Sequence, residues 1–322
     1  MAARKPSVFV SRRVPERVRA ELESRFALAL HDSEQPLGRA ELLAAAAGRD
    51  GLVTMLTDAV DEELLAAAGP SLRVVANYAV GYDNVDVEAA SRRGVLVTNT
   101  PDVLVDAVSE LTIALVLALV RRVGEGDRFL RRRESWTWAP TFLLGHSLRR
   151  RTLGIVGLGR IGREVARLAN ACGMEVVYTN RSGPDESMPY TWLSLSELLE
   201  SADVVSLHCP LTPETRHLIG REELRAMRRH AYLVNTARGP VVDEEALVAA
   251  LEAGEIAGAA LDVFEREPDV PERLLQLENV LATPHLGSAT EETREAMGLL
   301  CVSALAAVLL EGRVPDNVVN AV

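Results

Sequence analysis

The chain has 322 residues, of which 48% are hydrophobic and 25% are charged, and its formal net charge is −11. This composition is typical of a globular protein with two domains of ordinary size, and the acidic balance argues against nucleic acid as a partner. The three cysteines, Cys172, Cys209 and Cys301, are too few and too widely spaced for a disulfide framework or a zinc site, so we expect a reducing, cytoplasmic environment and no metal. The beginning of the chain lacks a signal-peptide core, and the longest apolar runs are too short for a membrane span, which predicts no membrane attachment.

The first hundred residues alternate between short apolar runs and helical patterns. Alternation of this kind with short loops predicts a parallel, doubly wound sheet. The predicted strands are Ser7–Val10, Phe26–His31, Gly51–Leu56, Leu72–Val80 and Val95–Thr100. The predicted helices are Pro15–Ser24, Arg39–Ala47, Asp61–Ala68 and Val87–Arg93.

A long helical pattern follows, from Asp106 to about Arg133, and leads into an aromatic loop at Glu134–Ser147. The loop contains Trp136, Trp138, Pro140 and Phe142. The sequence leaves two interpretations of it equally open, contact with a partner subunit and a local hydrophobic cap.

A second alternating set predicts a Rossmann sheet of six strands. The predicted strands are Thr152–Leu158, Glu175–Asn180, Val204–Cys209, Ala231–Thr236, Gly258–Val263 and Val280–Thr283. The predicted helices between them are Arg160–Cys172, Ser194–Ser201, Arg221–Arg228 and Glu244–Ala253.

The end of the chain predicts a long helix, Thr290 to Glu311, and a strand-like tail, Val314–Val319, that returns to the first domain. Ser288 and Glu291 have the spacing of a capping box at the start of this helix. We therefore expect a discontinuous substrate domain, residues 1–100 and 287–322, with a dinucleotide-binding domain at 101–286 inserted in it.

Gly157, Gly159 and Gly162 form a G-x-G-x-x-G spacing between a predicted strand and a predicted helix. In dinucleotide-binding proteins the first glycine permits the tight turn, the second lets the backbone approach a pyrophosphate, and the third allows close packing of helix and strand. The motif alone is weak, because a simple strand–helix turn also explains it. Its position within an alternating set favours the dinucleotide interpretation.

The residues after the second strand of this set bear on which dinucleotide binds. An NAD-binding unit usually places an acidic residue there to hold the ribose 2′-hydroxyl. Here Asn180 takes that position and Arg181 follows, and a guanidinium pairs with a 2′-phosphate that a carboxylate would repel. The sequence favours NADP(H), with NAD(H) as the alternative if Arg181 is merely a surface residue.

Three polar side chains follow predicted strands, at the sheet edge where open α/β sheets bind ligands. Arg238 is suited to gripping a carboxylate, and His285 can donate or accept a proton near neutral pH. Glu267 could pair with the imidazole, orienting it and favouring its protonated form. Each residue taken singly has a structural explanation, but their combination behind a dinucleotide fold predicts a catalytic set.

These features together resemble the D-isomer-specific 2-hydroxyacid dehydrogenases almost from end to end. The resemblance is carried by the runs Asn77–Asp86, Val97–Asp102, Gly157–Gly162, His208–Thr215, Val234–Pro240, Leu261–Pro268 and Thr283–Ser288. It implies an α/β fold of two doubly wound parallel-sheet domains, a Rossmann cofactor domain inserted in a flavodoxin-like substrate domain. It also implies a homodimer, which favours the interface interpretation of Trp138 and Phe142.

The family's functional residues carry over to matching positions here. The resemblance implies Arg238, Glu267 and His285 as the catalytic residues. For the substrate it implies Val80, Gly81, Arg238, His285 and Ser288. The implied cofactor contacts are Gly157, Leu158, Gly159, Arg160, Ile161, Gly162, Asn180, Arg181, Ser182, Cys209, Pro210, Thr236, Ala237, Asp262 and Gly287.

Within the family, the run Asn77–Asp83 most resembles glyoxylate and hydroxypyruvate reductases. We therefore expect NAD(P)H-dependent reduction of a small 2-keto acid, glyoxylate or hydroxypyruvate, to glycolate or D-glycerate. Other enzymes of the family, of the phosphoglycerate or formate type, remain alternatives, as does a dinucleotide-sensing corepressor-like binding protein.

Overall fold

The computed structural model describes residues 4–320, and the chain forms two compact units, Met1–Leu104 with Ala289–Val322, and Val105–Ser288. The sequence places these divisions after residues 100 and 286, a few residues earlier. Residues 1–3 and 321–322, which the predicted first and last domain segments include, lie outside the described residues. None of the helices in the described part of the chain combines the length and the apolar character that crossing a bilayer requires.

Twelve strands and twelve α-helices are found within residues 4–320. The strands are β1 Ser7–Val10, β2 Ala27–Leu30, β3 Gly51–Thr54, β4 Val74–Asn77, β5 Leu96–Thr98, β6 Thr152–Val156, β7 Glu175–Thr179, β8 Thr191–Trp192, β9 Val204–Leu207, β10 Tyr232–Asn235, β11 Gly258–Leu261 and β12 Val280–Ala282. The helices are α1 Glu16–Arg25, α2 Arg39–Ala46, α3 Glu62–Ala68, α4 Val87–Arg92, α5 Val105–Val120, α6 Val123–Arg131, α7 Arg160–Ala171, α8 Leu195–Ser201, α9 Arg221–Ala226, α10 Glu244–Glu252, α11 Glu272–Gln276 and α12 Glu291–Leu309.

The unit built from both ends of the chain contains a five-stranded parallel sheet in the order β2-β1-β3-β4-β5. This is the flavodoxin-like strand order. Helices cover both faces of this sheet. Successive residues of a strand point to opposite faces, so neighbouring residues contact different helices. The backbone of Gly51 lies against the side chains of Leu305 and Leu309 of α12, whereas the next residue, Leu52, belongs to a core shared with α2, α3 and α4.

The second unit contains a seven-stranded parallel sheet in the order β12-β11-β10-β9-β6-β7-β8. Strands β7 and β8 lie on one side of β6, and strands β9 to β12 lie on the other. The order of strand addition therefore reverses between β6 and β9, which is the switch point of a Rossmann fold. Val204 packs in a core with α5 and α7, and its neighbour Val205 packs in another with α8, α9 and α10. The predicted fold class, two doubly wound parallel-sheet α/β domains, is confirmed.

One predicted helix is wrong, because the pattern from Asp106 to about Arg133 forms two helices. Arg122 adopts a left-handed backbone with φ of 54° and separates α5 from α6. The returning loop stabilises the break, since His146 donates its N–H to the carbonyl of Val120 at 2.9 Å. Gly145 allows this approach, as a Cβ there would lie 2.5 Å from the same carbonyl oxygen.

Three smaller predictions also need correction. The Rossmann sheet has a seventh strand, β8, which is too short to show a periodic pattern. The N-cap of α12 is Thr290, whose side chain accepts from the Thr293 N–H, rather than Ser288. The tail does return to the first unit, where Val319 donates to Val97 O at 2.8 Å, but beyond the isolated bridge between Thr98 and Val318 its described residues form no extended strand.

Candidate active site

In the glycine turn between β6 and α7, Gly157 has the backbone of a tight turn and Gly162 has the close packing that the motif predicts. Gly157 has φ of 100°, and a Cβ there would lie 2.8 Å from the backbone nitrogen of Cys209. A Cβ at Gly162 would lie 2.3 Å from the carbonyl oxygen of Gly157, so α7 packs directly on the turn. Among residues 4–320, a Cβ at Gly159 would meet no atom within 4 Å beyond its chain neighbours. The turn is therefore rigid on two sides and open at Gly159, the N-cap of α7.

An anion is the natural ligand of this opening. Helix α7 has twelve residues, its N-cap makes no side-chain hydrogen bond, and its first turn carries no acidic residue. Backbone N–H groups at such a helix start, together with the helix dipole, favour a phosphate. Arg160 and Ile161 occupy this first turn. The residues present fit a dinucleotide pyrophosphate.

Asn180 lies at the end of β7 and is directed to the glycine turn. Its side-chain oxygen accepts a 2.6 Å hydrogen bond from the Leu158 N–H. The carbonyl of Leu158 accepts from the Nε of Arg163 at 3.3 Å, and Arg163 also forms an ion pair of 3.0 Å with Asp185. Both backbone groups of Leu158 are thus held by side chains, which fixes the turn before any ligand arrives.

Arg181 and Ser182 follow Asn180 and are both exposed. The positive charge of Arg181 contributes to lowering the pKa of Glu214, in the segment after β9, although hydrogen bonding from Thr212 is the larger cause. Arg181 thus carries an exposed positive charge just after β7.

The segment after β9 contributes neutral groups. Burial lowers the pKa of His208 to about 4, and its Nε2 lies 2.8 Å from the hydroxyl of Ser206. Burial raises the pKa of the half-buried Cys209 to about 11, so its thiol stays protonated and unreactive at neutral pH. Pro210 is exposed, and its carbonyl accepts from Thr215 at 2.7 Å. The side chains of His208 and Cys209 are therefore uncharged at neutral pH.

Arg238 follows β10 on a short, constrained segment. The side chain of Asn235, which is 1% exposed, accepts from the Ala237 N–H at 3.0 Å and donates to the Arg238 carbonyl at 2.9 Å. The Arg238 guanidinium donates to the Ala237 carbonyl at 2.8 Å. The Thr236 hydroxyl lies 2.9 Å from that of Thr112 on α5. Arg238 is half-buried. Its backbone carbonyl is bound by Asn235, and its guanidinium is bound by the carbonyl of the preceding residue.

The segments after β10 and β11 touch at Gly239. A Cβ on Gly239 would lie 1.9 Å from the carbonyl carbon and oxygen of Phe264, so no other residue fits without moving the backbone. This contact brings the Arg238 segment against the loop that carries Glu267. The charge of Arg238 is in turn among the causes that lower the pKa of Glu267.

Asp262, at the end of β11, organises the loop that carries His285. Its carboxylate accepts from the Thr283 hydroxyl at 2.6 Å and from the N–H groups of Leu286 and Gly287 at 2.7 and 2.8 Å. Its carbonyl accepts from the His285 N–H at 2.9 Å. These four bonds hold His285 at φ of 54°, a left-handed conformation that a residue without support avoids.

His285 and Glu267 form a close pair, with Nδ1 of the imidazole 2.8 Å from a carboxylate oxygen. The other oxygen accepts from the Phe264 N–H at 3.0 Å. Burial raises the pKa of Glu267, but hydrogen bonds from His285 and Phe264 and the charges of His285 and Arg238 lower it more, so the net shift is downward. The carboxyl is therefore ionised at neutral pH and orients the imidazole through Nδ1. About a quarter of each side chain is exposed (24% for His285 and 26% for Glu267).

The remaining predicted substrate residues lie at two places. Ser288 ends the His285 loop and is half-buried. Val80 and Gly81 follow β4 in the other unit, where their carbonyls accept from Asn99 at 2.8 Å and Asn77 at 2.9 Å. Within residues 4–320 no hydrogen bond is seen from the N–H groups of Val80 or Gly81. Two adjacent donors of this kind suit a carboxylate.

Three asparagines that support the site, Asn77, Asn99 and Asn235, lie in the runs that carry the family resemblance but are not among the predicted site residues. Each lies at or just after the end of a strand. Asparagine side chains at such positions commonly bond the backbone of the turn that follows. That pattern could have identified them as supports of Arg238, Gly81 and Val80.

The site has the parts of a nicotinamide-dependent oxidoreductase: a dinucleotide turn, and an arginine and a histidine–carboxylate pair on neighbouring strand ends of the same Rossmann sheet. The family model described as "D-isomer specific 2-hydroxyacid dehydrogenase, NAD binding domain" matches residues 113–287. The chain belongs to the D-isomer-specific 2-hydroxyacid dehydrogenase family, as the resemblance implied. It is an enzyme of this family and uses a nicotinamide dinucleotide.

Similar proteins include named glyoxylate reductases and solved structures. Glyoxylate reductase of Korarchaeum cryptofilum is 48% identical over 322 residues, which cover 98% of this chain and 96% of the relative. A crystal structure of a protein from Thermus thermophilus is 48% identical, with a TM-score of 0.91 over 97% of this chain and 99% of that one. The NADPH-dependent glyoxylate/hydroxypyruvate reductase of Sinorhizobium meliloti, solved with NADP and malonate, is 36% identical, with a TM-score of 0.84 over 98% of this chain and 97% of that one.

Proposed function

We propose that this enzyme reduces glyoxylate or hydroxypyruvate, with NADPH preferred over NADH. The observation that carries the proposal is the pairing of His285 with Glu267 at 2.8 Å, on a loop packed against the segment of Arg238. A carboxylate-binding arginine beside an oriented proton donor is what reduction of a 2-keto acid requires. Two of the similar proteins are named as reductases of glyoxylate or of glyoxylate and hydroxypyruvate, which are 2-keto acids.

Arg238 binds the substrate carboxylate and stabilises negative charge that develops on the keto oxygen. Its guanidinium has a fixed charge and a planar fork of donors, which suit both tasks. The N–H groups of Val80 and Gly81 are proposed as further carboxylate donors, and Ser288 as a further polar contact. Fixing the carboxylate sets the distance and the face at which C2 of the substrate is presented.

His285 donates the proton that converts the keto oxygen into a hydroxyl. Its Nδ1 is occupied by Glu267, so Nε2 is the nitrogen that serves the substrate. The Glu267 carboxylate stabilises the imidazolium before transfer and keeps the ring oriented afterwards. The bound dinucleotide supplies the hydride. In the reverse direction, His285 takes the proton from the 2-hydroxyl.

The dinucleotide is held by the glycine turn, by Arg181 and Ser182 at the end of β7, and by the strand-end residues Cys209, Pro210, Thr236, Ala237, Asp262 and Gly287. Arg181 is the basis of the NADPH preference, because its exposed guanidinium has the charge to pair with a 2′-phosphate. The neutral Asn180 beside it adds no repulsion.

The aromatic loop is proposed as a surface for a second copy of the chain. Trp136, Trp138 and Leu144 are 57%, 78% and 61% exposed, which argues against a closed local cap. Phe142 stacks on Trp136, with ring centroids 6.2 Å apart. Light scattering of Trp138→Ser against the natural chain measures whether the exposed face holds a dimer together.

The proposal is tested by a panel of 2-keto acids with NADPH and NADH, following the absorbance of the reduced nicotinamide. We expect the highest kcat/KM with glyoxylate or hydroxypyruvate and NADPH. Arg238→Ala should lower kcat/KM by about 10²-fold or more, as for loss of a donor to a developing oxyanion. Turnover with neither acid, or an Arg238→Ala variant as active as the natural chain, would overturn the proposal.

A further inference from the structure

Asn235 is a buried amide that the mechanism does not use, although both of its polar atoms are engaged at the site. It ends β10 and is 1% exposed. Its Oδ1 accepts from the Ala237 N–H at 3.0 Å, and its Nδ2 donates to the Arg238 carbonyl at 2.9 Å. The side chain thus bridges the peptide group that precedes Ala237 and the one that follows Arg238.

The backbone of Asn235 is also fixed. Its carbonyl accepts from the Asp262 N–H at 2.9 Å, and β10 pairs in register with β9 and β11, with Asn235 opposite Leu207 and Leu261. Asn235 is therefore part of the sheet, and its side chain fixes the position of Arg238 relative to the sheet. On the far side of Arg238, Gly239 lies against the Phe264 carbonyl.

The chemistry of this contact needs an amide and no other side chain of the same shape. Only an amide carries one acceptor and two donors on a planar group of this size. An aspartate can still accept from Ala237, but when ionised it cannot donate to the Arg238 carbonyl and places two acceptors against each other. An unpaired acceptor buried in this way is unfavourable.

We infer that Asn235 is a positioning residue for Arg238, holding the arginine where it meets the substrate carboxylate. The inference rests on the proposed role of Arg238. The two differ in their consequences, because Asn235 touches no substrate and acts only through the conformation of residues 237 and 238. Its removal should reduce turnover only while Arg238 is present.

The experiment is a double-mutant cycle on kcat/KM for glyoxylate with NADPH. We expect Asn235→Asp to lower kcat/KM by about tenfold or more in the natural background, and to change it by less than about twofold in an Arg238→Ala background. The inhibition constant of oxamate, the monoamide of oxalate, which keeps the carboxylate and adjacent carbonyl of a 2-keto acid, should rise with Asn235→Asp and be insensitive to this change once Arg238 is absent.

A matched control uses the same change at Asn279, whose Nδ2 donates to the Ala257 carbonyl at 3.1 Å near the opposite ends of the strands. Asn279→Asp also buries part of a new carboxylate and breaks an amide–carbonyl bond, but it should leave kcat/KM unchanged. If Asn235→Asp does not fold, Asn235→Ser provides a smaller change with the same expectation, and thermal unfolding reports which variants are intact.

A pH series gives an independent readout. A buried carboxyl has a raised pKa, and its protonated form regains a donor for the Arg238 carbonyl. The ratio of kcat/KM for Asn235→Asp to that of the natural chain should therefore rise as the pH falls. Equal losses from Asn235→Asp with and without Arg238 would overturn the inference. An active Arg238→Ala variant would instead overturn the proposed function.

Discussion

The side-chain oxygen of Asn180 accepts a 2.6 Å hydrogen bond from the N–H of Leu158, in the middle of the glycine turn. The residue that stands where NAD-binding proteins commonly have an acid therefore serves the turn itself. An aspartate has the same shape and could accept the same bond. What the asparagine changes is the charge, since it supports the turn without placing a carboxylate beside Arg181.

Asn180→Asp should consequently alter cofactor choice while preserving the fold. We expect KM for NADPH to rise by about tenfold or more and KM for NADH to change little, because the new carboxylate repels a 2′-phosphate and tolerates a 2′-hydroxyl. Steady-state kinetics with both cofactors measure the ratio. Asn170→Asp, which adds the same charge at an exposed position in the last turn of α7, is the control. Parallel changes for the two cofactors would contradict the explanation.

Arg181→Ala tests the attractive side of the same preference. Loss of a charge-assisted contact to the 2′-phosphate should raise KM for NADPH by about tenfold or more and leave NADH nearly unaffected. Arg167→Ala removes an arginine that is paired with Glu164 on the surface of α7, and it should affect neither cofactor. Equal effects of Arg181→Ala on both cofactors would show that the guanidinium does not contact the phosphate.

Glu267→Gln tests the pairing with His285 through the pH dependence of reduction. The carboxylate stabilises the imidazolium, and its own pKa is lowered by that contact, so it is charged throughout the neutral range. The variant lacks the negative charge that faces Nδ1 of His285. The fall of kcat/KM with rising pH should then begin at a lower pH than in the natural chain.

The control for this prediction is Glu265→Gln on the same loop. Glu265 pairs with a different histidine, His217, at 2.9 Å. Its replacement removes a neighbouring carboxylate and breaks a histidine–carboxylate pair without touching His285. A pH profile that moves equally in both variants would indicate a general charge effect instead of the specific pair.

Substitutions at two glycines of the turn should affect cofactor binding and the stability of the fold separately. Gly159→Ala places a methyl group in open space at the start of α7, so we expect an unchanged melting temperature and weaker NADPH binding. Gly162→Ala places one 2.3 Å from the Gly157 carbonyl and should lower stability by about 1–3 kcal/mol. Gly126→Ala, where the new methyl group would meet no described atom within 4 Å outside the chain neighbours and the backbone of α6, is the control for both measurements. Normal cofactor affinity in Gly159→Ala would refute the phosphate approach.

Asp203 should stabilise the Rossmann unit in a pH-dependent way. Burial raises its pKa, but hydrogen bonds from Thr152, His230 and Arg151 and the charge of Arg151 lower it more, to a net value below the ordinary 3.8. A carboxyl with a lowered pKa contributes stability above its unfolded pKa, and this is lost as the pH falls through the folded value. Asp203→Asn should therefore cost about 1–3 kcal/mol near neutral pH and progressively less in acid.

Denaturant unfolding over a pH series measures this difference. Asp127→Asn is the control, because its ion pair with Arg131 joins two exposed side chains on α6 and contributes little. A constant difference between Asp203→Asn and the natural chain down to the lowest pH would contradict a role for the ionised carboxylate.

Much of the fold could be predicted because it depends on local patterns. Buried parallel strands such as β6 and β10 are short apolar runs, and the helices between them have regular apolar spacing, so the sequence determined the strand–helix alternation and the two-sheet class. The glycine spacing and the residues Arg238, Glu267 and His285 could be singled out for the same reason, since each follows a recognisable strand. Those patterns carry the chemical character of each residue and its order along the chain.

What the sequence by itself did not determine depends on contacts between distant segments. The break at Arg122 is stabilised by the returning Gly145 and His146, and the left-handed His285 is held by Asp262, which follows β11. The hydrogen-bond partners of Asn180 and Asn235 likewise depend on how the turns fold. A single side chain can accept or donate in several directions, and only the packed backbone decides which partner lies within hydrogen-bond distance.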